Sequence, residues 1–173
     1  MTDGLEMVAQ LMNIAALTAP KAAGQDFVLT KVVTGAEVQK LGEAVVAYGD
    51  KTGKKRFDRD GGNVQKSEAV LLIGYKNPGT VGLNCGACGF ATCKALEAQA
   101  RVEVEFKGPA CAYRLLDMGI ALGSAVKVAS LLNVDNRIMY RIGAAARDMH
   151  LVDWDFVMGI PLYVGAKSIY FDR

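Results

Sequence analysis

Four cysteines and their spacing constrain this chain more than any other feature of its sequence. Cys85, Cys88 and Cys93 lie within nine residues, and Cys111 follows them, which gives the spacing C-x2-C-x4-C-x17-C. Four thiolates can ligate one cubane [4Fe–4S] cluster or one tetrahedral zinc ion. The only histidine, His150, lies far from this segment in the sequence. We therefore expect the four cysteines to bind one metal centre and none of them to form a disulfide.

The residues around the cysteines favour iron–sulfur over zinc. Structural zinc sites more often combine two C-x2-C knuckles, or cysteine with histidine. Here Gly86 and Gly89 permit tight turns that place backbone amides close to the sulfurs, and Phe90 can shield a cluster from water. Zinc and a redox-active pair of thiols remain the alternatives.

The length of 173 residues predicts a single domain over residues 1–173, with the cysteine segment 80–115 embedded in it. A chain of this size buries about 70% of its unfolded surface, so it needs no disulfide to hold a core. The apolar stretch 115–132 contains Asp117 and Lys127, which are costly in a bilayer, so we expect no membrane span.

Charge and the N-terminal sequence limit the partners and the compartment. The net charge is only +2, so the composition predicts no nucleic-acid partner. No Lys or Arg precedes Lys21, whereas a secretory signal begins with a basic region. We therefore expect the protein in the cytoplasm, where thiols stay reduced and grouped cysteines more often bind metal.

Hydrophobic periodicity and turn residues predict a mixed α+β chain. Helices are expected at 4–18, from Thr34 to Gly49, and at 94–105, 110–132 and 137–149, and strands at 27–33, 69–75 and 156–164. The run at 69–75 is apolar throughout, which is typical of a central strand covered on both faces. Pro161 predicts an edge or a bulge in the last strand. Between Gly49 and Asn63 we expect a charged loop, either simply solvated or, at 51–59, docking a negatively charged partner.

The cysteine motif resembles that of a known iron–sulfur domain. CGACGFATC, followed by a cysteine after seventeen residues, looks like the four-cysteine domain of Rnf-type electron-transport subunits and corrinoid iron–sulfur proteins. The likeness covers about residues 80–115. It implies that Cys85, Cys88, Cys93 and Cys111 hold one [4Fe–4S] cluster.

Over its whole length the chain resembles a family of uncharacterised prokaryotic proteins that contain a ferredoxin domain. The likeness rests on the segments RDGGNV, LIG, the cysteine cluster, DMGIALGSAV, VDNRIMY and IPL, and on the ending KSIYFDR. No firm activity comes with that resemblance.

A weaker likeness is to FMN-dependent nitroreductases. AALTAPKAAGQDFVLTKVVTGAEVQKLGEAV is similar to their helix, AP turn, strand and helix, DMGIALGSAVKVASLLNVD to their long central helix, and MGIPLYVGAK to their late strand. It implies a three-layer α+β fold, with a central, mostly antiparallel sheet packed by helices and an iron–sulfur loop, and a homodimer. The Arg-rich start that grips the FMN phosphate in those enzymes is absent, and Ala23-Gly24 replaces the asparagine of the AP turn. Pro20, Lys21 and Gln25 are the positions where a remnant flavin site would lie.

Three functions are consistent with these residues. The first is electron transfer by an iron–sulfur protein that binds one [4Fe–4S] cluster and meets a redox partner protein. The second is an FMN-dependent iron–sulfur flavoprotein reductase. The third is a structural zinc-binding module that mediates interactions. No Ser-His-Asp set, HExxH or P-loop motif occurs, so the sequence assigns no catalytic residue.

Overall fold

The apolar run at residues 69–75 forms the centre of the fold. In the computed structural model, which describes residues 2–171, strand β2 (Ala69–Tyr75) is buried along its whole length. It pairs antiparallel with β1 (Val28–Thr34) on one side and with β6 (Phe156–Tyr163) on the other. A short β5 (Asp135–Asn136) pairs with the far side of β6, which gives the strand order β1-β2-β6-β5. The predicted central strand is confirmed.

Helices and a small hairpin complete the described part of the chain. They are α1 (Thr2–Thr18), α2 (Ala36–Thr52), α3 (Phe57–Lys66), α4 (Cys93–Glu97), the hairpin of β3 (Val102–Glu103) and β4 (Lys107–Gly108), α5 (Ala112–Leu131) and α6 (Tyr140–Asp148). A 3-10 turn spans Ala22–Gly24. Residues 1, 172 and 173, and the side chains of residues 2 and 3, lie outside the described part, so the last two residues of the ending KSIYFDR are not placed.

Two hydrophobic cores cover the two faces of the sheet. The first contains α1, α5 and alternate β2 side chains such as Leu71 and Ile73. The second contains α2, α3, α6 and the intervening β2 side chains Val70 and Leu72. This alternation follows from the pleat of a strand, in which successive side chains point to opposite faces. Helices on both faces of an antiparallel sheet confirm the predicted α+β architecture.

The charged segment 49–63 is largely helical, so the loop predicted there is wrong. α2 continues through Gly49 to Thr52, and only residues 53–56 separate it from α3. A Cβ on Gly49 would lie 2.4 Å from the Cβ of Phe57, so this glycine permits close packing instead of ending the helix. α2 ends at Thr52 and is followed by Gly53, which has a left-handed backbone (φ 68°).

Ion pairs occupy two of the basic side chains that were expected to dock a partner. Lys51 Nζ lies 2.6 Å from Asp148 Oδ1, and Lys54 Nζ lies 2.8 Å from Glu105 Oε1. The first joins α2 to α6 and the second joins the α2–α3 turn to the hairpin.

The helix predicted over 94–105 ends after little more than one turn. α4 stops at Glu97, and the chain then forms the β3–β4 hairpin, in which Val102 pairs with Gly108. The backbone N–H of Lys107 donates to the carbonyl of Asp155 at 2.8 Å, which ties the hairpin to the main sheet just before β6. In contrast, the long helix predicted over 110–132 is confirmed as α5. Within residues 2–171, no helix is both long and apolar enough to cross a membrane.

Pro161 lies where the pairing of β6 with the β5 side of the sheet is interrupted. Gly159 and Met139 exchange both backbone hydrogen bonds, at 2.8 and 3.0 Å, so the nitrogen of Pro161, two residues on, faces the same side of β6. Regular pairing on that side stops at Asn136. The proline therefore costs the sheet no hydrogen bond at this position.

Candidate metal centre

The four cysteines line one pocket at the end of the central strand. The chain leaves β2, passes through Cys85, Cys88 and Cys93, and returns through the hairpin to Cys111 at the start of α5. The pocket is lined by all four cysteines together with small, apolar or uncharged residues, namely Val81, Leu83, Asn84, Gly86, Phe90, Leu96, Ala112 and Tyr113. Exposure decreases from Cys85, which is exposed, through the half-buried Cys88 and Cys93 to Cys111, which is buried.

Turns in the left-handed backbone region shape the cysteine loop. Gly86 and Gly89 have φ values of 74° and 87°, which only glycine adopts without strain. The N–H of Gly89 donates to the carbonyl of Gly86 at 2.9 Å and closes a turn around Cys88. The two glycines therefore allow the tight turn that the sequence predicted.

Asn84 joins the two ends of the cysteine loop. Its side-chain Oδ1 accepts the backbone N–H of Cys93 at 2.8 Å, and its own N–H donates to the Sγ of Cys93 at 3.4 Å. This N–H lowers the pKa of the Cys93 thiol, partial burial opposes the shift, and donors at Thr80 and Gly82 add to it. A lowered pKa favours the thiolate, which is the form of cysteine that binds metal.

The buried cysteine lies at the N-terminus of the longest helix in the described range. Cys111 is the N-cap residue of α5, and the first-turn residues Ala112 and Tyr113 also line the pocket. The first amides of a helix have no partner within the helix, and the helix dipole is positive at this end. Both effects stabilise negative charge beside Cys111.

The donor set fits an iron–sulfur cluster. Residues 77–93 contain no charged side chain, and neither does the lining of the cysteine pocket. The site therefore offers soft thiolate ligands, amide donors and apolar cover, which are the groups that hold and tune iron–sulfur clusters. Among residues 2–171, no three His, Cys, Asp or Glu side chains are arranged so that they could hold a single metal ion.

A buried ionic cluster lies one turn along α5 from Cys111. Arg114 is 2% exposed and its Nη1 lies 3.2 Å from Oδ2 of Asp117, which is 5% exposed. Oδ1 of Asp117 accepts the backbone N–H of Ala22 at 2.7 Å, and Arg114 also donates to the side chain of Gln25. The guanidinium lies 4.6 Å above the ring of Phe27. These contacts hold residues 22–27, which follow the AP turn (Ala19-Pro20), against α5.

This ionic cluster was missed by the sequence reasoning. Asp117 argues against a membrane span, and its position three residues after Arg114 in an apolar helix also indicates a buried pair. Their partners at 22 and 25 are about ninety residues away, which no local pattern reveals.

Two of the three positions where a remnant flavin site was expected are occupied by internal contacts. Lys21 Nζ donates to the carbonyls of Ala16, at 3.0 Å, and Leu17, at the end of α1, and its side chain is only 4% exposed. Gln25 receives the hydrogen bond from Arg114. Pro20 is exposed.

Comparison with solved structures establishes the fold. FMN-dependent nitroreductase NfnB from Mycobacterium smegmatis, in complex with NADPH, superposes with a TM-score of 0.60 and 13% identity, over 93% of this chain and 78% of that chain. Nitroreductase CinD from Lactococcus lactis, in complex with chloramphenicol, gives 0.60 and 17% over 94% and 82%. A nitroreductase with bound FMN from Desulfitobacterium hafniense gives 0.59 and 13% over 94% and 79%. The predicted nitroreductase-like fold is confirmed.

Comparison of sequences establishes the family. An uncharacterized protein of Archaeoglobus fulgidus is 47% identical over 171 residues, which cover 99% of this chain and 92% of that protein. Residues 107–173 match the family described as "Uncharacterized protein containing a ferredoxin domain (DUF2148)". The chain, with its cysteine pocket on a nitroreductase-like fold, belongs to this family of ferredoxin-domain-containing proteins.

Proposed function

We propose that Cys85, Cys88, Cys93 and Cys111 hold one [4Fe–4S] cluster and that the protein transfers electrons. The observation that carries this proposal is the single pocket lined by all four cysteines, although 17 residues separate the last two in sequence. The match of residues 107–173, which contain Cys111, to a ferredoxin-domain family also supports it. The proposal treats residues 1–173 as one domain in the cytoplasm, where the thiols stay reduced.

The residues around the thiols have distinct roles in this proposal. A bound cluster supplies the storage and release of one electron at a time. The N–H of Asn84 and the first amides of α5 offset negative charge on the sulfurs. Phe90 and Leu96 exclude water from the inner side of the pocket. Cys85 is the exposed thiol, and Leu83 beside it is 55% exposed, so a redox partner would approach from this side.

Spectroscopy of protein purified without oxygen tests this proposal. We expect a broad brown absorption that bleaches on reduction and a low-temperature electron paramagnetic resonance signal from the reduced protein. Cys85→Ser should lose most of both signals. Ala87→Ser is the matched control, because it adds a hydroxyl to the same exposed loop without removing a thiol. Colourless wild-type protein, or a brown C85S variant equal to wild type, would refute the assignment.

A second candidate function is that of an iron–sulfur flavoprotein reductase, and the nitroreductase-like fold is the observation that favours it. The solved relatives include an FMN-dependent nitroreductase and one with bound FMN. Incubation of the purified protein with FMN, followed by desalting and denaturation, measures retained flavin by its fluorescence. Stoichiometric flavin would support this second function. Stoichiometric zinc in protein made in iron-sufficient, oxygen-free cells would instead support the zinc-binding module.

The outer face of the α1–α5 layer supports a homodimer. Large apolar side chains are exposed along both helices, namely Met7, Leu11, Ile14 and Leu17 on α1 and Leu116 and Ile120 on α5. A Cβ on Gly119 or Gly123 of α5 would meet no neighbouring atom, so this face is open within one chain. Contiguous exposed apolar surface of this kind marks interaction sites. We expect sedimentation to give a dimer, and Ile120→Glu to give a monomer that keeps its metal. A wild-type monomer would refute the homodimer.

A further inference from the structure

A second cavity lies against the inner wall of the cysteine pocket. Its volume is about 260 Å³, and its walls are residues 77–80, α4 with the residues that follow it, and residues 109–111. Leu96 and Cys111 line both this cavity and the cysteine pocket, so the two share a wall. The volume lies just below the usual range of about 300–1,000 Å³ for drug-sized ligands, which points to a smaller molecule.

The positive charge in this cavity is already balanced. Arg101 Nη1 lies 2.8 Å from Oδ2 of Asp155 and 3.1 Å from Oδ1 of Asn77. The Asp155 side chain is 3% exposed, whereas the Arg101 side chain is 35% exposed. Asp155 Oδ2 also accepts the backbone N–H of Asn77 at 2.7 Å, which fixes its position. The buried carboxylate of Asp155 therefore already compensates the charge of Arg101.

The negative charge in this cavity has no counter-ion. Glu97 accepts a hydrogen bond from the hydroxyl of Thr80 at 2.6 Å, and no ion pair joins it to a described Lys or Arg. Pro78, Pro109 and Leu96 contribute apolar surface to the walls, and Asn77 and Gln99 contribute uncharged polar groups. A carboxylate beside apolar surface is complementary to a positive group on a flat ring.

We propose that this cavity binds a small organic cation of one ring, whose amidinium or ammonium group pairs with Glu97. The ring lies between Pro78, Pro109 and Leu96. Cys111 forms part of the wall, so the ligand binds next to the metal centre without ligating it. This assignment goes beyond electron transfer. It depends on the proposed function only for the identity of the metal centre in the neighbouring cysteine pocket.

Binding of three isosteric probes tests the charge preference. Benzamidine, benzamide and benzoate share one ring and carry a positive, zero and negative charge. Titration calorimetry on anaerobically purified protein should give the tightest binding for benzamidine, about 10-fold (about 1.4 kcal/mol) tighter than for benzoate, because only benzamidine can form a hydrogen bond between opposite charges with Glu97. Equal affinities for benzamidine and benzoate, or no binding of any probe, would overturn the proposal.

Two variants locate the site. Glu97→Gln should weaken benzamidine binding about 10-fold and leave benzamide binding within about 2-fold, since only the charge is lost. Glu43→Gln changes another exposed glutamate, in α2 on the other face of the sheet, and should change neither affinity. An E97Q variant with unchanged benzamidine affinity, or an equal loss in E43Q, would refute the assignment.

A spectroscopic readout separates this proposal from the metal assignment. Iron and sulfide contents of the same sample report on the cluster alone. If the cluster is present, the ring protons of bound benzamidine should show paramagnetic broadening in the reduced protein that disappears in E97Q. Bound benzamidine without broadening in a cluster-containing sample would contradict the position beside Cys111.

Discussion

Two groups of functional side chains lie at the start of α5. They differ in whether other residues of the protein already provide their binding partners. The cysteine pocket presents four thiols and no charged side chain. One turn further along the helix, Arg114 and Asp117 are almost fully buried and form an ion pair, and of the Arg114 nitrogens Nε is left without a hydrogen-bond partner in the described part of the chain. The thiol pocket is suited to receive an external group, whereas the ionic cluster holds the AP turn to the helix.

The chain resembles nitroreductases in one respect and iron–sulfur domains in another, and the two resemblances concern different features of the molecule. The nitroreductase likeness describes the scaffold, including the AP turn, where Lys21 and Gln25 are occupied by internal contacts. The motif resemblance to four-cysteine iron–sulfur domains covers about residues 80–115, where the four thiols line one pocket. The ionic cluster is therefore expected to be structural, and the cysteine pocket is expected to be the redox site.

Removal of the buried arginine should have the largest effect. Arg114→Met leaves the Asp117 carboxylate buried without its counter-charge, so we expect a loss of about 3–5 kcal/mol in the free energy of unfolding. Urea unfolding measures it, with Lys127→Met, on the exposed side of α5, as the matched control. The double variant Arg114→Met with Asp117→Leu should recover part of the loss. If Arg114→Met were as stable as wild type but lost a bound flavin, Arg114 would be a flavin-binding residue and not a structural one.

Lys21 gives a second test of the same region with a smaller effect. Lys21→Met removes hydrogen bonds to the last carbonyls of α1, so we expect about 2 kcal/mol of destabilisation in urea unfolding. Iron content should stay at the wild-type value. A lysine that served a flavin phosphate would show the opposite pattern, with unchanged unfolding and weaker FMN retention.

Asn84 tests the cysteine pocket. Asn84→Ala removes the acceptor for the N–H of Cys93 and places alanine at a φ of 50°, which favours asparagine or glycine. We expect cluster bleaching in air to become several-fold faster, with a loss of only about 1–2 kcal/mol in stability. Asn84→Gly removes the same acceptor but adopts this φ without strain, so it separates loss of the acceptor from backbone strain. Equal bleaching rates in wild type and N84A would show that this contact does not support the centre.

The ionisation of Cys93 should give the smallest effect. Since folding lowers the pKa of this thiol, chiefly through the N–H of Asn84, the metal-free fold gains stability above the pKa of the unfolded thiol. It loses that contribution as the pH falls through the folded value. Iodoacetamide, which consumes thiolate, should label Cys93 at a pH below that of an ordinary thiol. Thr80→Val should shift the labelling profile to higher pH. An unchanged profile would show that Thr80 does not lower the pKa of Cys93.

The sequence predicts the features of this molecule that depend on neighbouring residues. The apolar run of β2, the long helix α5 and the grouping of the cysteines follow from local patterns. The continuation of α2 through Gly49 does not, because it depends on packing against Phe57. The shortness of α4 does not either, because the hairpin that follows it is held by a hydrogen bond to Asp155, about fifty residues further along the chain. The ionic cluster depends on partners about ninety residues apart.

The central claim is that the four cysteines form one iron–sulfur site. Quantification of iron, acid-labile sulfide, zinc and flavin in one anaerobically purified sample tests it most directly. We expect about four iron and four sulfide per chain, as in a [4Fe–4S] cluster, with negligible zinc. About one zinc per chain without sulfide, or no metal at all, would contradict it.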